Sequence, residues 1–256
     1  MLPLWLWFII AVVAFFLTIR LTLPIRTFFV PKNHTHNDFL DPSQQLLGLI
    51  YGVLLAFIVV FSWQSYTTLS DNLEKEAIGL FDLWRDAEVF EPETRKLFRE
   101  AIVNYLQSIH DKEWPLMAKG EQPSINPTYS QLWHTIEKFE AKTSIQTAFL
   151  SNLINELNNV NSCRRQRILA ITSSTPTILW TFLIGGCFCI ITLTGIYNVK
   201  FRLYMLLASL QAITMTFAFY LIANFNHPFE GLLAITDEGY MNVLQTILKL
   251  NKLGLN

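Results

Sequence analysis

The sequence predicts an all-α protein: four transmembrane helices together with a helical domain outside the bilayer. Three observations carry this. Four apolar segments, at 2–19, 46–63, 177–197 and 203–225, contain no Asp, Glu, Lys or Arg. Each meets or approaches the roughly 18–20 residues that cross about 30 Å of hydrocarbon at a 1.5 Å rise. The chain is 52% hydrophobic and only 15% charged, well under the roughly 25% of a soluble domain. Finally, residues 64–176 carry apolar side chains at helical spacing rather than in alternation.

Segment 2–19 has no basic residue before it and is long and aromatic (Trp5, Trp7, Phe8, Phe15, Phe16). It reads as a retained anchor rather than a cleaved signal, with Arg20 at its membrane exit. The linker 20–45 is polar and broken by Pro24, Pro31 and Pro42, which predicts a loop. No Gly or Pro separates segment 46–63 from the stripe Leu69, Leu73, Ala77, Leu80, Phe81 and Trp84, while Asp71, Glu74, Lys75, Asp82 and Arg85 lie off it. One helix is therefore expected to leave the membrane near Trp63 and continue to about Val89. Pro92 opens a second helix with Leu97, Ala101, Tyr105 and Ile109 inward, and Trp114-Pro115 closes it. After a loop at 119–127, helices are predicted at 129–140 and 144–171, the latter with Ile145, Phe149, Leu153, Leu157 and Val160 as its stripe. Ser173, Ser174 and Thr175 before Pro176 mark the break before re-entry, and a tight turn at 198–202 makes the last two segments an antiparallel hairpin. The domains expected are 1–63 (two membrane helices and their linker), 64–176 (extramembrane), 177–225 (membrane hairpin) and a tail at 226–256.

A net charge of −1 gives no basic excess for nucleic acid. Of three cysteines, Cys187 and Cys189 lie in the third apolar segment and Cys163 beside Arg164. That is neither a disulfide framework nor a metal spacing. His34-Thr35-His36-Asn37-Asp38 offers alternating ligands on a loop, but a solvated loop is the better reading. Glu76, Glu113 and Asp237 are isolated carboxylates suited to salt bridges or capping. No catalytic residue, metal or cofactor is predicted, and the chain does not read as an enzyme.

Ion-coupled transporters place ionisable residues near the bilayer centre, and these segments have none. Gln211 and Thr214 suit interhelical hydrogen bonds. A charge-free membrane region fits a passive pore with a dewetting constriction, or a scaffold without a pathway. Gly48 and Gly52 form a GxxxG pattern that lets another helix approach closely. Val53, Phe57 and Phe61 recur every fourth residue and share one face. That face serves either as lipid contact or bundle core, or as a stack of apolar rings lining a narrow neck.

The run from Tyr51 through Trp63 to Tyr66 resembles the signature second helix of the bestrophin-like domain family, bacterial and plant membrane proteins of unassigned function. Further features match in order: Glu76; Trp84-Arg85-Asp86; Tyr105; Glu113-Trp114-Pro115-Leu116-Met117 and Gly120; Arg164 and Arg167; Trp180; and Pro228-Phe229-Glu230-Gly231. The resemblance covers about residues 46–240. It implies distant similarity to bestrophins, which are pentameric anion channels with four membrane helices per subunit. It also implies a cytosolic helical region between the second and third helices, and a neck lined by the second. On that pattern Val53, Phe57 and Phe61 occupy the neck, and small anions such as chloride pass. The acidic cluster that binds calcium in animal bestrophins is reduced here to Glu230, Asp237 and Glu238, so calcium gating is not expected.

Basic residues near the membrane ends divide almost evenly. Arg20, Arg26, Lys32, Lys200 and Arg202 lie on one side, with Lys75, Arg164, Arg165, Arg167, Lys249 and Lys252 on the other. The resemblance, not the charge, puts 64–176 in the cytoplasm of a multi-pass protein of the bacterial inner membrane. The expected function is a homo-oligomeric, pentameric anion channel, with the lipid bilayer and its own copies as partners. The alternative is a non-conducting scaffold whose helical domain binds another protein. A third reading, a membrane enzyme using His34 and His36, is weaker.

Overall fold

The computed structural model describes residues 37–124, 126–172, 175–196 and 201–253, with isolated positions Leu6, Ile9, Val12, Val13 and Arg20. Most of the anchor predicted at 2–19, the linker histidines and most of the turn at 198–202 lie outside the described residues. Among the described residues the chain is all-helical, without strands. Three helices there are long and apolar enough to cross a membrane.

Two compact units appear, one within Met1–Ser65 and Ser174–Asn226, the other within Tyr66–Ser173 and His227–Asn256. In the first, helix α1 (Asn37–Asp86) contributes its membrane-spanning part. Its start corrects the expected loop, because Pro42 sits inside the helix. As the sixth residue of the helix, Pro42 lies past the first four amides, so the helix forgoes the bond its amide would make to the carbonyl four residues earlier. Tyr51, Leu55 and Ile58 pack against Leu183 and Ile190 of α6 (Thr177–Ile196) and Ile222 of α7 (Phe201–Phe225). Gly186 permits this contact, because a Cβ there would collide with the Tyr51 ring. That ring is pinned by its hydroxyl, which donates to the Leu183 carbonyl at 2.7 Å. The Thr194 hydroxyl accepts from Gln44 Nε2 at 3.1 Å and donates to Gln211 Oε1 at 2.9 Å, joining the three helices where hydrocarbon offers no other partner. Thr214 bonds back to the Leu210 carbonyl instead.

The second unit is built on the outer part of α1, which ends at Asp86 and passes through a 3₁₀ turn, Ala87–Val89. Helix α2 (Pro92–Ser108) starts with proline in its first turn, as expected. Its inward stripe is Phe98, Ala101, Ile102, Tyr105, Leu106 and then Ile109. Leu97, predicted to face in, is 60% exposed. The larger Phe98 takes the inward position, edge-on to Phe90 at 5.4 Å, and turns its neighbour outward.

Trp114-Pro115 does not close the helix. A π-helical turn, Ile109–Glu113, leads into the short α3 (Trp114–Met117). The wider turn puts Pro115 in a new first turn, where its missing amide is not needed. Helix α4 (Pro127–Glu137) is capped by Asn126, whose side chain accepts from the Thr128 amide at 3.0 Å. In α5 (Ser144–Ala170) the predicted stripe is buried only from Leu153 through Leu157 and Val160, where Tyr129 donates to the Leu157 carbonyl. Ile145 and Phe149, expected inside, are exposed. The tail expected beyond 226 contains α8 (Glu238–Lys252), which buries Tyr240, Leu244 and Ile247 in the same core.

Candidate functional site

The membrane part of α1 has two faces, and the exposures separate them. Tyr51 (4%), Leu55 (9%) and Ile58 (8%) are inward, while Val53 (47%), Phe57 (67%) and Phe61 (60%) are outward. At about 100° per residue, the outward three form a ridge turned roughly 90–170° away from the packed face. Gly48 and Gly52 meet nothing either: a Cβ added at each would have no neighbour within 4 Å. Among the described residues, then, the predicted ring residues are exposed and the two glycines have room for a Cβ. Trp180 of α6 lies edge-on to Phe219 at 6.3 Å, and Trp63 edge-on to Phe225 at 5.4 Å.

The other motif residues converge in the extramembrane unit. Glu76 and Glu113, isolated in the sequence, are not isolated in the fold. Arg167 is fully buried on α5 and grips Glu76 of α1 with one edge of its guanidinium, Nε to Oε2 at 2.9 Å and Nη2 to Oε1 at 3.0 Å. The same Nη2 reaches Glu113 Oε2 of the π turn at 2.8 Å. Arg164, one turn earlier, binds Glu113 Oε1 at 2.9 Å, and Asn126 Nδ2 joins it at 2.8 Å. Two phenols complete Glu76: Tyr105 of α2 donates to Oε1 at 3.0 Å and Tyr240 of α8 to Oε2 at 2.8 Å.

Two carboxylates and two guanidiniums balance, and every oxygen of the pair has partners, which a buried charge requires. Burial, then the Glu76 charge, raises both phenols well above 10.0, so they remain donors. Burial also works to raise Glu113, but the Arg167 and Arg164 charges and their hydrogen bonds outweigh it and hold the carboxyl below 4.5. For Arg167, burial is outweighed by Glu76 and its neighbours, and the guanidinium sits well above its ordinary value. Both carboxylates are fully engaged, although the buried Arg164 Nε has no partner among the described residues, so the chemistry of the cluster is cross-linking: it ties four helices and the π turn.

The remaining motif residues shape the surroundings. Trp84 is buried with the Arg99 guanidinium 4.3 Å above its ring, while Arg85 is exposed and pairs with Asp82 at 3.0 Å. Tyr66 donates to the Leu233 carbonyl at 2.9 Å. Pro228-Phe229-Glu230-Gly231 forms a turn in which Gly231 has φ 86°, a conformation few side chains accept. Phe229 is buried edge-on to Trp114 at 5.6 Å. Among the described residues no group of three or more His, Cys, Asp or Glu could hold a metal.

Sequence reasoning passed over Tyr240 and Asn126 as members of this cluster. A signal existed for the core of it. Arg164 and Arg167 continue the spacing of the buried stripe Leu153, Leu157 and Val160, and cations on an inward face demand acidic partners.

The bestrophin-like domain family matches residues 12–240. No curated protein matches the chain. Among solved structures, a bacterial bestrophin homologue from Klebsiella pneumoniae carrying a leucine-to-threonine change aligns with TM-score 0.68 at 13% identity, over 94% of this chain and 98% of that one. An aspartate-to-alanine variant of the homologue from the same organism gives 0.67 at 14%, over 96% and 98%. A structure described as a membrane protein with a leucine-to-alanine change gives 0.65 at 15%, over 93% and 97%. At these identities the likeness is one of fold.

Proposed function

The chain belongs to the bestrophin-like family, and from that premise we propose that it is a homo-oligomeric, pentameric membrane channel for small anions such as chloride. Its neck is lined by Val53, Phe57 and Phe61 of α1, one apolar ring per turn. One observation carries the reading: among the described residues the ridge of these three side chains is left bare, turned away from the face that holds the helices together. Bestrophins are anion channels, and copies arranged about an axis would bring that ridge together. Gly48 and Gly52, equally uncovered, would let neighbouring helices approach. A constriction of this kind resists ions by excluding water rather than by charge. Residues 64–176 would lie in the cytoplasm of a bacterial inner-membrane protein. Labelling of Cys163 on intact cells by an impermeant thiol reagent would overturn that placement.

Phe57→Ala widens the ring and should raise chloride flux when the purified protein is reconstituted in liposomes. A folded, oligomeric Phe57→Ala protein that passes no ion would sink the proposal.

A second reading, a non-conducting scaffold, draws on Leu97, Ile145 and Phe149, apolar side chains left exposed on the extramembrane helices. It predicts a monomer or dimer in mild detergent, which cannot form an axial pore.

A further inference from the structure

A second ion pair in the extramembrane unit takes no part in the buried cluster. His110 of the π turn meets the Asp237 carboxylate through its Nδ1, across 127 residues of sequence. Asp237 is the residue before α8, where an aspartate ordinarily turns its carboxylate onto the free amides of the first helical turn. It makes no such bond here. The carboxylate that should cap α8 is given to the imidazole, leaving the amides of Gly239 and Tyr240 without it. Both ends of the contact are anchored three residues further on: Glu113 follows His110 and Tyr240 follows Asp237, each held in the buried cluster.

We propose that His110 and Asp237 form a proton-operated latch, closed when the imidazole is charged, that fixes the start of α8 to the π turn. In the open state the Asp237 carboxylate is freed for the first amides of its own helix, which from φ −85° and ψ 13° requires the backbone as well as the side chain to turn. Two partners compete for one carboxylate, and the proton on His110 decides between them.

The charged groups at this junction are Asp237 and Glu238 at the start of α8, and Asp111 and Lys112 in the π turn. The Asp237 hydrogen bond raises His110 above 6.5. Slight burial opposes it, and the charges of Asp237 and Asp111 add to it. A pKa raised by folding fixes the sign: the latch is fully present below 6.5 and is lost as pH rises through the raised value. The imidazole is 48% exposed and the carboxylate 19%, so solvent screening keeps the effect small. The latch does not depend on the channel reading, because it is a property of the extramembrane unit alone.

The test is hydrogen exchange of the first turns of α8 in the full chain in detergent, comparing wild type with His110→Gln at matched pH. Glutamine keeps a donor and cannot charge. At about pH 5.5 the variant should exchange roughly two- to fivefold faster, and at about pH 9 the two should coincide. Asp237→Asn, which still caps a helix, should behave as His110→Gln does. Equal exchange at the acid pH overturns the latch. So does a wild-type advantage that persists at the alkaline one, which would mark an ordinary hydrogen bond.

Discussion

Replacing Arg167 by methionine removes the one cation that Glu76 touches and leaves its surroundings otherwise intact. The consequences for the two carboxylates differ. Glu113 keeps Arg164 at 2.9 Å and Asn126 at 2.8 Å. Glu76 keeps only the phenols of Tyr105 and Tyr240, so an unbalanced charge is stranded at a site with no solvent exposure. Breaking a buried pair from one side costs about 3–5 kcal/mol, most of it the penalty of the charge left behind. For a chain of this size about 1 kcal/mol corresponds to a melting shift of roughly 2–4 °C. Arg167→Met should therefore lower Tm by roughly 6–20 °C, followed by helical circular dichroism in detergent. The penalty resides in the abandoned carboxylate, so Glu76→Gln combined with Arg167→Met should regain most of the loss. A single variant that melts within about 2 °C of wild type, or a double variant no better than the single, would refute this reasoning.

Two other outcomes test the packing and the charge balance. Gly186→Ala should destabilise the membrane unit by about 1–3 kcal/mol, the usual cost of overpacking, because the Tyr51 ring in its way is pinned to Leu183. Gly185→Ala, with nothing within 4 Å, should be neutral or slightly stabilising, and equal losses at both positions would discredit the contact. Glu113 is held below 4.5 by its arginines, so its contribution is present above that value and disappears as pH falls through the lowered one. Wild-type Tm should accordingly drop more steeply on acidification than that of Glu113→Gln, and parallel profiles would contradict the assignment.

The helices were legible because burial follows period. Leu69, Leu73, Ala77, Leu80 and Trp84 are inside, as their spacing requires. The errors fall where a local rule met a larger constraint. Pro42 and Pro115 were read as breaks, yet one sits near a helix start and the other follows a π turn that prepares its place. Ile145 and Phe149 continue a periodic stripe beyond the part that is covered. The cluster was half legible. Two arginines on an inward stripe imply carboxylates, but which ones depends on contacts spanning 91 residues for Glu76 and 54 for Glu113. The Tyr240 bond spans 164, and no local pattern encodes such a distance.

The proposed neck raises a different question, because apolar exposure is common in this membrane unit. Ile178 and Ile184 of α6, and Leu206, Ile213 and Phe217 of α7, are exposed to a degree comparable with Phe57, as lipid-facing residues should be. Apolarity therefore does not distinguish a face that meets acyl chains from one that meets an axis. Register does. Along α1 Val53, Phe57 and Phe61 climb one per turn among other bare side chains such as Leu49 and Val60, and the same helix carries two glycines with no neighbour among the described residues. Lipid has no use for a backbone exposed at Gly48 and Gly52, whereas another helix does, since dispersion contacts grow as axes draw together. That pairing of a ridge with an unfilled groove suits another helix, rather than acyl chains, as a neighbour of α1.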